Sequence, residues 1–263
     1  MGGFELKWFV RVVVVLMMVP NILGWGKDGH YVICKIAEEY LTADALAAVK
    51  ALLPEQAEGD LAAVCSWADH VRFHYHWSSP LHYVDTPDFF CNYKYCRDCH
   101  DGYGRMDRCV TGAIYNYSMQ LSQGYYDLNS EKYNLTEALM FLSHFVGDVH
   151  QPLHCGFIGD LGGNTIIVRW YRRKTNLHHH EWSDDVPSWE NCTKMVCPDP
   201  YASESIRLAC KFAYRNATPG STLTDDYFLS RLPVVEKRLA QSGVRLAEVL
   251  NRIFTKKPSV AAQ

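Results

Sequence analysis

The 263-residue sequence has no large excess of charge and no apolar run long enough to cross a membrane. Its 26 basic and 29 acidic residues leave a net charge of −3, which excludes a histone-like protein. The N-terminal apolar run covers only residues 12–19, whereas a bilayer-spanning helix needs about 20 residues. No internal repeat or low-complexity tract is present, which excludes a collagen-like chain. Hydrophobic residues make up 48% of the chain, so we expect one globular domain.

The first 24 residues are predicted to be a secretory signal peptide. Lys7 and Arg11 precede the short apolar run, which is the order typical of a leader removed during export. Cleavage after Gly24 would leave a mature domain of residues 25–263 that begins at Trp25 and carries a charge of −4.

Ten cysteines and four N-glycosylation sequons agree with export. An even number of cysteines is expected to pair in an oxidising compartment, and Cys34–Cys65 and Cys192–Cys197 are the predicted pairs. The sequons begin at Asn116, Asn134, Asn191 and Asn216, and each is a candidate glycan site. No retention tail or lipid-anchor motif is found. We therefore expect a glycoprotein of the secretory pathway, either extracellular or vacuolar.

The periodicity of the apolar residues predicts a mainly α-helical chain. Helical spacing covers segments 28–41, 43–53, 60–73, 109–123, 136–150, 202–215 and about 226–253. Thr42 is predicted to cap the second helix, and Pro54 to stop it. Residues 165–171 are predicted to form a short strand of a β-hairpin, and residues 88–109 a cysteine-stapled loop.

Histidines and aspartates occur together at spacings that suit metal ligation. His144 and Asp148 lie one turn apart on a helix that is apolar almost all round. A buried charged pair needs a compensating partner, and a divalent cation is the simplest one. Pro152 ends this helix, which would let His154 fold back toward the same site. The alternative is a His–Asp pair that stabilises the helix by about a few tenths of a kcal/mol.

Two further fragments favour the metal site. Asp69 is followed three residues later by Arg72 in a helical segment, and His82 by Asp85 in an extended one. Each carboxylate or imidazole alone is more often a surface or capping residue, but the joint pattern favours ligands. We assign no function to His70, His74, His76 or His100.

Several motifs follow one another in a fixed order along the chain. They are Trp25-Gly-Lys-Asp-Gly-His30, Trp67-Ala-Asp69, Pro80-Leu-His82-Tyr-Val-Asp85, the run from His144 to His154, and Gly162-Gly-Asn164. Together they resemble the S1/P1 nuclease family from residue 25 to about residue 254. The resemblance implies a mainly α, single-domain helical phospholipase C/P1 nuclease-like fold with a short β-hairpin.

The resemblance also implies three zinc ions in a cleft. The implied ligands are the amino nitrogen and carbonyl of Trp25 with His30 for one ion, Asp69, His82 and His144 for a second, Asp148 as a bridge between these two, and His154 with His178 for the third. Zinc accepts imidazole nitrogen and carboxylate oxygen, so the residue types agree with this metal. Three such ions would change the net charge of the mature chain from −4 to +2, so attraction of an anionic substrate would depend on metal.

The implied activity is hydrolysis of single-stranded RNA and DNA to 5′-phosphorylated products, with removal of 3′-phosphates from nucleotides. Two close zinc ions can generate a hydroxide that attacks phosphorus, and a cationic side chain can neutralise the phosphate. The matching residues are Asp69, Asp148 and Arg72 for catalysis, Tyr83 for base stacking, and Asp85 and Asn164 for base contacts. We expect a monomer with no stable protein partner and no membrane partner.

The chain departs from the family pattern after His180. The family has an aspartate four residues after the position of His178, where this chain has Trp182. A helical segment is predicted to be missing here, and the third zinc site loses its carboxylate. His180 and Asp184 are four residues apart and could replace the lost pair.

Two other functions stay open. A phospholipase C-like phosphodiesterase is one, because bacterial enzymes of that type resemble this family, although Tyr83, Asp85 and Asn164 favour nucleotides. The other is a catalytically impaired zinc-binding secreted glycoprotein, in which the missing segment has disabled the third site.

Overall fold

A computed structural model describes residues 25–127, 132–170, 173–176 and 192–255. The described residues form nine α-helices: α1 (Gly26–Tyr40), α2 (Ala43–Leu52), α3 (Leu61–Val64), α4 (Trp67–Val71), α5 (Tyr95–Asp98), α6 (Val110–Tyr126), α7 (Leu135–His150), α8 (Pro198–Leu208) and α9 (Asp225–Thr255). Short 3₁₀ turns lie at Glu55–Ala57, His76–His82, Pro152–Cys155 and Ile158–Asp160, and Ala209–Ala213 is a π turn. The strands are β1 (Ile167–Trp170), β2 (Arg173–Asn176) and β3 (Thr222–Leu223). The predicted mainly α fold is confirmed.

Helix α7 lies at the centre of the fold. Asn134 caps its start by accepting a hydrogen bond from the backbone N–H of Glu137 (3.1 Å). Pro152 begins a 3₁₀ turn directly after its end. Residues 138–150 are all buried, because α4, α6, α8 and α9 pack around the helix. The polar side chains of α7 therefore lie in the core and need partners there.

The long helix α9 closes the core by packing along α1 and α7. Its buried Arg238 donates from Nε to the carbonyl of His150 (2.9 Å) and from Nη1 to Glu204 (2.8 Å). Arg245 donates to the same carboxylate at 2.7 and 2.9 Å. This group satisfies the last carbonyl of α7, and so fixes the direction in which the chain leaves that helix.

The predicted helix bounds agree with the structure except at three places. Segment 60–73 forms two short helices, α3 and α4, because the chain breaks at Cys65, which is bonded to Cys34. Segment 202–215 begins earlier, at Pro198, and ends in the π turn. The predicted hairpin is present, with β1 antiparallel to β2. The parallel strand β3 beside β1 was not predicted, since two residues carry no periodic signal.

Four disulfides join eight of the ten cysteines. They are Cys34–Cys65, Cys91–Cys210, Cys99–Cys109 and Cys192–Cys197. Both predicted pairs are confirmed, and residues 88–109 are stapled as expected. The expectation that all ten cysteines pair is wrong. Cys96 is exposed on α5, whereas Cys155 is buried beside Val149 at the end of α7, so the two thiols cannot meet.

Several predictions concern residues outside the described ranges. These are the signal peptide (residues 1–24), the sequon asparagine Asn191, the ligand His178, and the substitute pair His180 and Asp184. The three described sequon asparagines, at positions 116, 134 and 216, are exposed. No helix in the described part of the chain is both long enough and apolar enough to span a bilayer.

Candidate metal centre

Five separate elements carry the predicted ligands to one place. Helix α1 supplies His30, α4 supplies Asp69, and the 3₁₀ turn His76–His82 ends in His82. Helix α7 supplies His144 and Asp148 from one face, since they are one turn apart, and the turn after it supplies His154. These six residues are predicted ligands, and the structure brings all of them together.

The carboxylate of Asp148 is the hub of the cluster. It is only 1% exposed, and four imidazoles surround it. Asp148 Oδ2 lies 2.9 Å from His82 Nδ1 and 3.1 Å from His144 Nε2. Asp148 Oδ1 lies 3.3 Å from His30 Nε2 and 3.2 Å from His154 Nδ1. One carboxylate oxygen therefore faces each half of the cluster, which is the arrangement that a bridging ligand requires.

The ligand atoms divide into two groups that share His144. His30, His144 and Asp148 form one group, and Asp69, His82 and His144 form the other. Within each group the nitrogen and oxygen atoms lie within 4.8 Å of one another. Asp69 Oδ1 is 3.8 Å from His144 Nε2 and 3.9 Å from His82 Nδ1, too far for hydrogen bonds. Spacings of this size fit donor atoms arranged around an ion.

Backbone carbonyls orient two of the rings. The Nδ1–H of His144 donates to the carbonyl of Cys65 (2.8 Å), and the Nδ1–H of His154 donates to the carbonyl of His82 (2.7 Å). Each bond fixes the tautomer that leaves the lone pair on Nε2, as is usual for histidines that bind metals. His154 Nε2 therefore lies on the far side of the ring from Asp148, and His154 belongs to neither of the two groups.

Several buried ligand atoms lack hydrogen-bond partners. They are both ring nitrogens of His30, Nε2 of His82 and Oδ1 of Asp148. Leaving a buried polar atom without a partner costs about 1–3 kcal/mol, so a fold rarely keeps several of them in one place. A divalent cation bound by nitrogen and oxygen atoms would satisfy them, and the donor set is the one that zinc accepts. The residues present therefore fit a metal centre.

The pKa shifts describe the same charge balance. Burial lowers the pKa of His30 to about 4, helped by the neighbouring His144. Burial also opposes charge on His144, but Asp148 and Asp69 outweigh it and raise the pKa of His144 to about 9. Burial would favour neutral Asp148, yet the His144 and His154 imidazoles hold its pKa well below the usual value. Without a cation, a proton on His144 compensates the carboxylates, and metal binding would displace it.

Trp25 is buried next to this cluster. Its indole Nε1–H donates to the carbonyl of Gly147 on α7 (2.7 Å), and this bond fixes the start of α1. Gly147 has no room for a side chain, because a Cβ there would lie 2.7 Å from His30 Nδ1. Sequence reasoning missed Gly147; its place between two ligands of the same helix, next to Asp148, was the available signal.

The structure also separates ligands from other histidines. His150 lies in the same histidine-rich run, but its ring meets Arg245 (Nη1 to Nε2, 3.0 Å) on the side of α7 away from the cluster. The four histidines to which no function was assigned are all exposed, and none joins either group: His70, His74, His76 and His100.

The predicted catalytic arginine lies at the rim of the cluster. Arg72 follows directly after α4 and places Nη1 3.7 Å from Asp69 Oδ1. Its side chain is largely buried, with 13% exposed, and its guanidinium lies 5.5 Å from the centre of the Phe73 ring. A cationic group is therefore held beside the second group of ligands, where an anionic phosphate would approach.

The predicted base-binding residues lie on neighbouring segments. Tyr83 directly follows His82 and is 39% exposed. Asp85 is half-buried, and burial together with the nearby Asp160 raises its pKa to about 7. Asn164 lies at the end of the turn that begins at Asp160, and its Nδ2 donates to the carbonyl of Leu161 (2.7 Å). The structure thus places Asp85 beside the turn that carries Asn164.

Comparison with known proteins gives one family and a set of named relatives. The family model described as S1/P1 Nuclease matches residues 25–181 and 179–255, two segments that meet at 179–181. The chain is similar to Endonuclease 4 of Arabidopsis thaliana, with 59% identity over 97% of both chains. It is similar to Endonuclease 1 of the same plant, with 44% identity over 95% of this chain and 93% of the relative. Nuclease P1 of Penicillium citrinum is 29% identical over 87% of this chain and 97% of its own.

The alignment to Endonuclease 4 extends over 293 positions, whereas this chain has 263 residues. At least 30 of those positions therefore face a gap in this chain.

Proposed function

The chain belongs to the S1/P1 nuclease family, and on this premise we propose that it is a zinc-dependent nuclease. It hydrolyses single-stranded RNA and DNA to 5′-phosphorylated products and removes 3′-phosphates from nucleotides. The observation that carries the proposal is the set of four imidazoles around the buried Asp148 carboxylate, at 2.9–3.3 Å. The printed names of the relatives, endonucleases and nuclease P1, support the same reaction class.

The proposed ligands are the residues at the cluster, together with one outside the described ranges. Trp25, through its freed amino nitrogen and its carbonyl, and His30 hold one ion; Asp69, His82 and His144 hold a second; Asp148 bridges the two; and His154 with His178 holds a third. Zinc at such sites supplies Lewis-acid chemistry, since it lowers the pKa of water and polarises phosphoryl oxygens. The unpartnered atoms of His30, His82 and Asp148 support this assignment.

The protein side chains supply binding and charge compensation. Arg72 faces the ligand Asp69 and neutralises charge that develops on the phosphate in the transition state. Tyr83, which is exposed beside His82, stacks a base next to the scissile bond. Asp85 and Asn164 contact polar groups of that base. Stacking accepts any base, so the site selects single strands by their free base faces and not by sequence.

Metal removal tests the proposal. The chain has a net charge of −3, so it should repel polynucleotides unless cations occupy the site. We expect chelation of the mature protein to abolish both cleavage of single-stranded DNA and its binding in a fluorescence anisotropy assay, and added zinc to restore both. Undiminished DNA binding after chelation, with zinc shown to be absent by mass spectrometry, would contradict the proposal.

A second candidate function is a catalytically impaired zinc-binding glycoprotein. It is supported by the alignment gap of at least 30 positions and by the two matched segments that meet at 179–181, close to the proposed ligand His178. Zinc counting beside a DNA cleavage assay separates the two. The nuclease is expected to hold three ions per chain and to cleave, whereas the impaired protein would hold two and would not.

Export and a monomeric state complete the proposal. Four disulfides support folding in an oxidising compartment, consistent with a glycoprotein that reaches the extracellular space or the vacuole. Cleavage after Gly24 is required, because only then does Trp25 have a free amino group. N-terminal sequencing of the active protein that begins before Trp25 would contradict this requirement.

A further inference from the structure

Two extended segments run side by side away from the metal centre. The backbone N–H of Val84 donates to the carbonyl of His154, and the N–H of Thr86 donates to the carbonyl of Gly156, both at 2.8 Å. The N–H of Ile158 returns a bond to the carbonyl of Thr86 (2.9 Å). The pair starts at two proposed metal ligands, His82 and His154, and so forms a rigid track that leads from the cluster toward the protein surface.

Side chains alternate along the first of these segments, as they do in a β-strand. Val84 and Thr86 are buried, whereas Tyr83 and Asp85 face the open side. Tyr83 and Asp85 are close enough for the carboxylate to raise the pKa of the phenol, after burial, which is the larger cause. The open face of this track is therefore the one that carries the proposed base-binding residues.

An aromatic side chain stands at the far end of the track. Phe89 is 87% exposed, and its ring centre lies 5.9 Å from that of Phe157 at the end of the second segment. Phe157 is itself stacked flat on Tyr214, at 4.5 Å and 2°. The three rings form a platform of which only the outermost ring, Phe89, is open to solvent.

The chain holds Phe89 there against its own conformational preference. Its φ of 65° lies in the left-handed region, which a bulky side chain rarely adopts. The preceding Asp88 fixes the turn by accepting a hydrogen bond from the backbone N–H of Gly159 (2.7 Å). Gly159 permits this approach, because a Cβ there would lie 2.3 Å from Asp88 Oδ2. A strained, braced and exposed aromatic residue is typical of a binding position.

We infer that Phe89 is a stacking subsite for a base of the single-stranded substrate, separate from the base position at Tyr83. This inference rests on the proposed nuclease function. Phe89 is seven residues beyond His82, a span of at most about 23 Å, and a stacked strand rises about 3.4 Å per nucleotide. The base that reaches Phe89 is thus no more than about seven nucleotides from the scissile bond. Stacking on phenylalanine accepts every base of RNA or DNA.

Substrates of different length test this subsite. In Phe89→Ala, the Kd and the KM for an oligonucleotide of about twelve residues are expected to rise about fivefold or more. The kcat, and the KM for 3′-AMP, are expected to stay unchanged, because a mononucleotide does not extend beyond Tyr83. Phe89→Trp should retain wild-type values. Tyr40→Ala removes an exposed ring at the other end of α1 from His30 and is the matched control, expected to change neither substrate.

The two proposals fail in different ways. Equal oligonucleotide Kd values for Phe89→Ala and wild type would overturn the subsite, as would a parallel rise in the KM for 3′-AMP. A zinc-loaded wild type that binds the oligonucleotide but cleaves nothing would overturn the nuclease, while the Kd comparison would still decide the subsite. Wild type that binds no oligonucleotide would overturn both.

Discussion

Replacement of Asp148 by Asn is the most direct perturbation of the metal centre. The amide has the size of the carboxylate but no charge, so it removes the anion that four imidazoles face at 2.9–3.3 Å. Loss of a hydrogen-bond partner of a metal ligand weakens metal affinity about 10–100-fold. Loss of the charge on the bridging ligand itself should weaken it at least about 100-fold.

The size of this effect can be expressed as zinc-dependent stability. At free zinc about 100-fold above Kd, binding adds about 2.7 kcal/mol to the free energy of unfolding. If Kd rises 100-fold, the same zinc concentration adds only about 0.4 kcal/mol. In a chain of this size, 1 kcal/mol shifts Tm by about 2–4 °C. Zinc should therefore raise the Tm by about 5–11 °C in the wild type and by about 1–2 °C in Asp148→Asn.

Thermal unfolding with and without zinc measures this difference, with metal content and DNA cleavage followed in parallel. Asp226→Asn is the matched control, because Asp226 is exposed in the first turn of α9, away from the proposed ligands. It should show the wild-type zinc response and wild-type cleavage. The reasoning is refuted if Asp148→Asn binds as much zinc as the wild type and shows the same increase in Tm.

Two further predictions concern stability. Replacement of both Cys34 and Cys65 by Ala should lower the free energy of unfolding by about 3–4 kcal/mol in urea titrations, because the bridge closes a 31-residue loop; an unchanged midpoint would contradict this. The pKa of Asp85 is raised to about 7 from 3.8, so the folded state binds the extra proton between these values, and stability due to this group falls as pH rises from about 4 to about 7. Asp85→Asn should therefore gain stability relative to the wild type across that window; parallel stability profiles would show that Asp85 titrates normally.

Local sequence was sufficient to predict much of the helical framework. The bounds of α1, α2, α6 and α7 follow from apolar periodicity, and the caps at Thr42 and Asn134 are satisfied within three residues. Segment 60–73 was harder to predict, since its break depends on a disulfide to Cys34 in another helix. Strand β3 depends entirely on its partner β1. Prediction failed where the deciding contact lay far away in the chain.

The ligand types were also readable from the sequence, but their convergence was not. His144 and Asp148 share a helix face by spacing alone, whereas His30 reaches Asp148 from 118 positions away. The carbonyl of Cys65 that orients His144, and the absence of a side chain at Gly147 that admits His30, follow only from the packing of α1 and α4 against α7.

The sequence by itself determined which segments are helical, which two cysteine pairs close short or adjacent loops, and which histidines and aspartates bind metal under the proposed function. Only the tertiary structure decided that Cys96 and Cys155 stay unpaired, that the pKa of Asp85 is raised, and that Phe89 stands exposed at the end of a track from the metal centre. The physical reason is that periodicity and capping act between neighbours in the chain. Burial, charge balance and exposure are instead set by elements that meet only when the chain has folded.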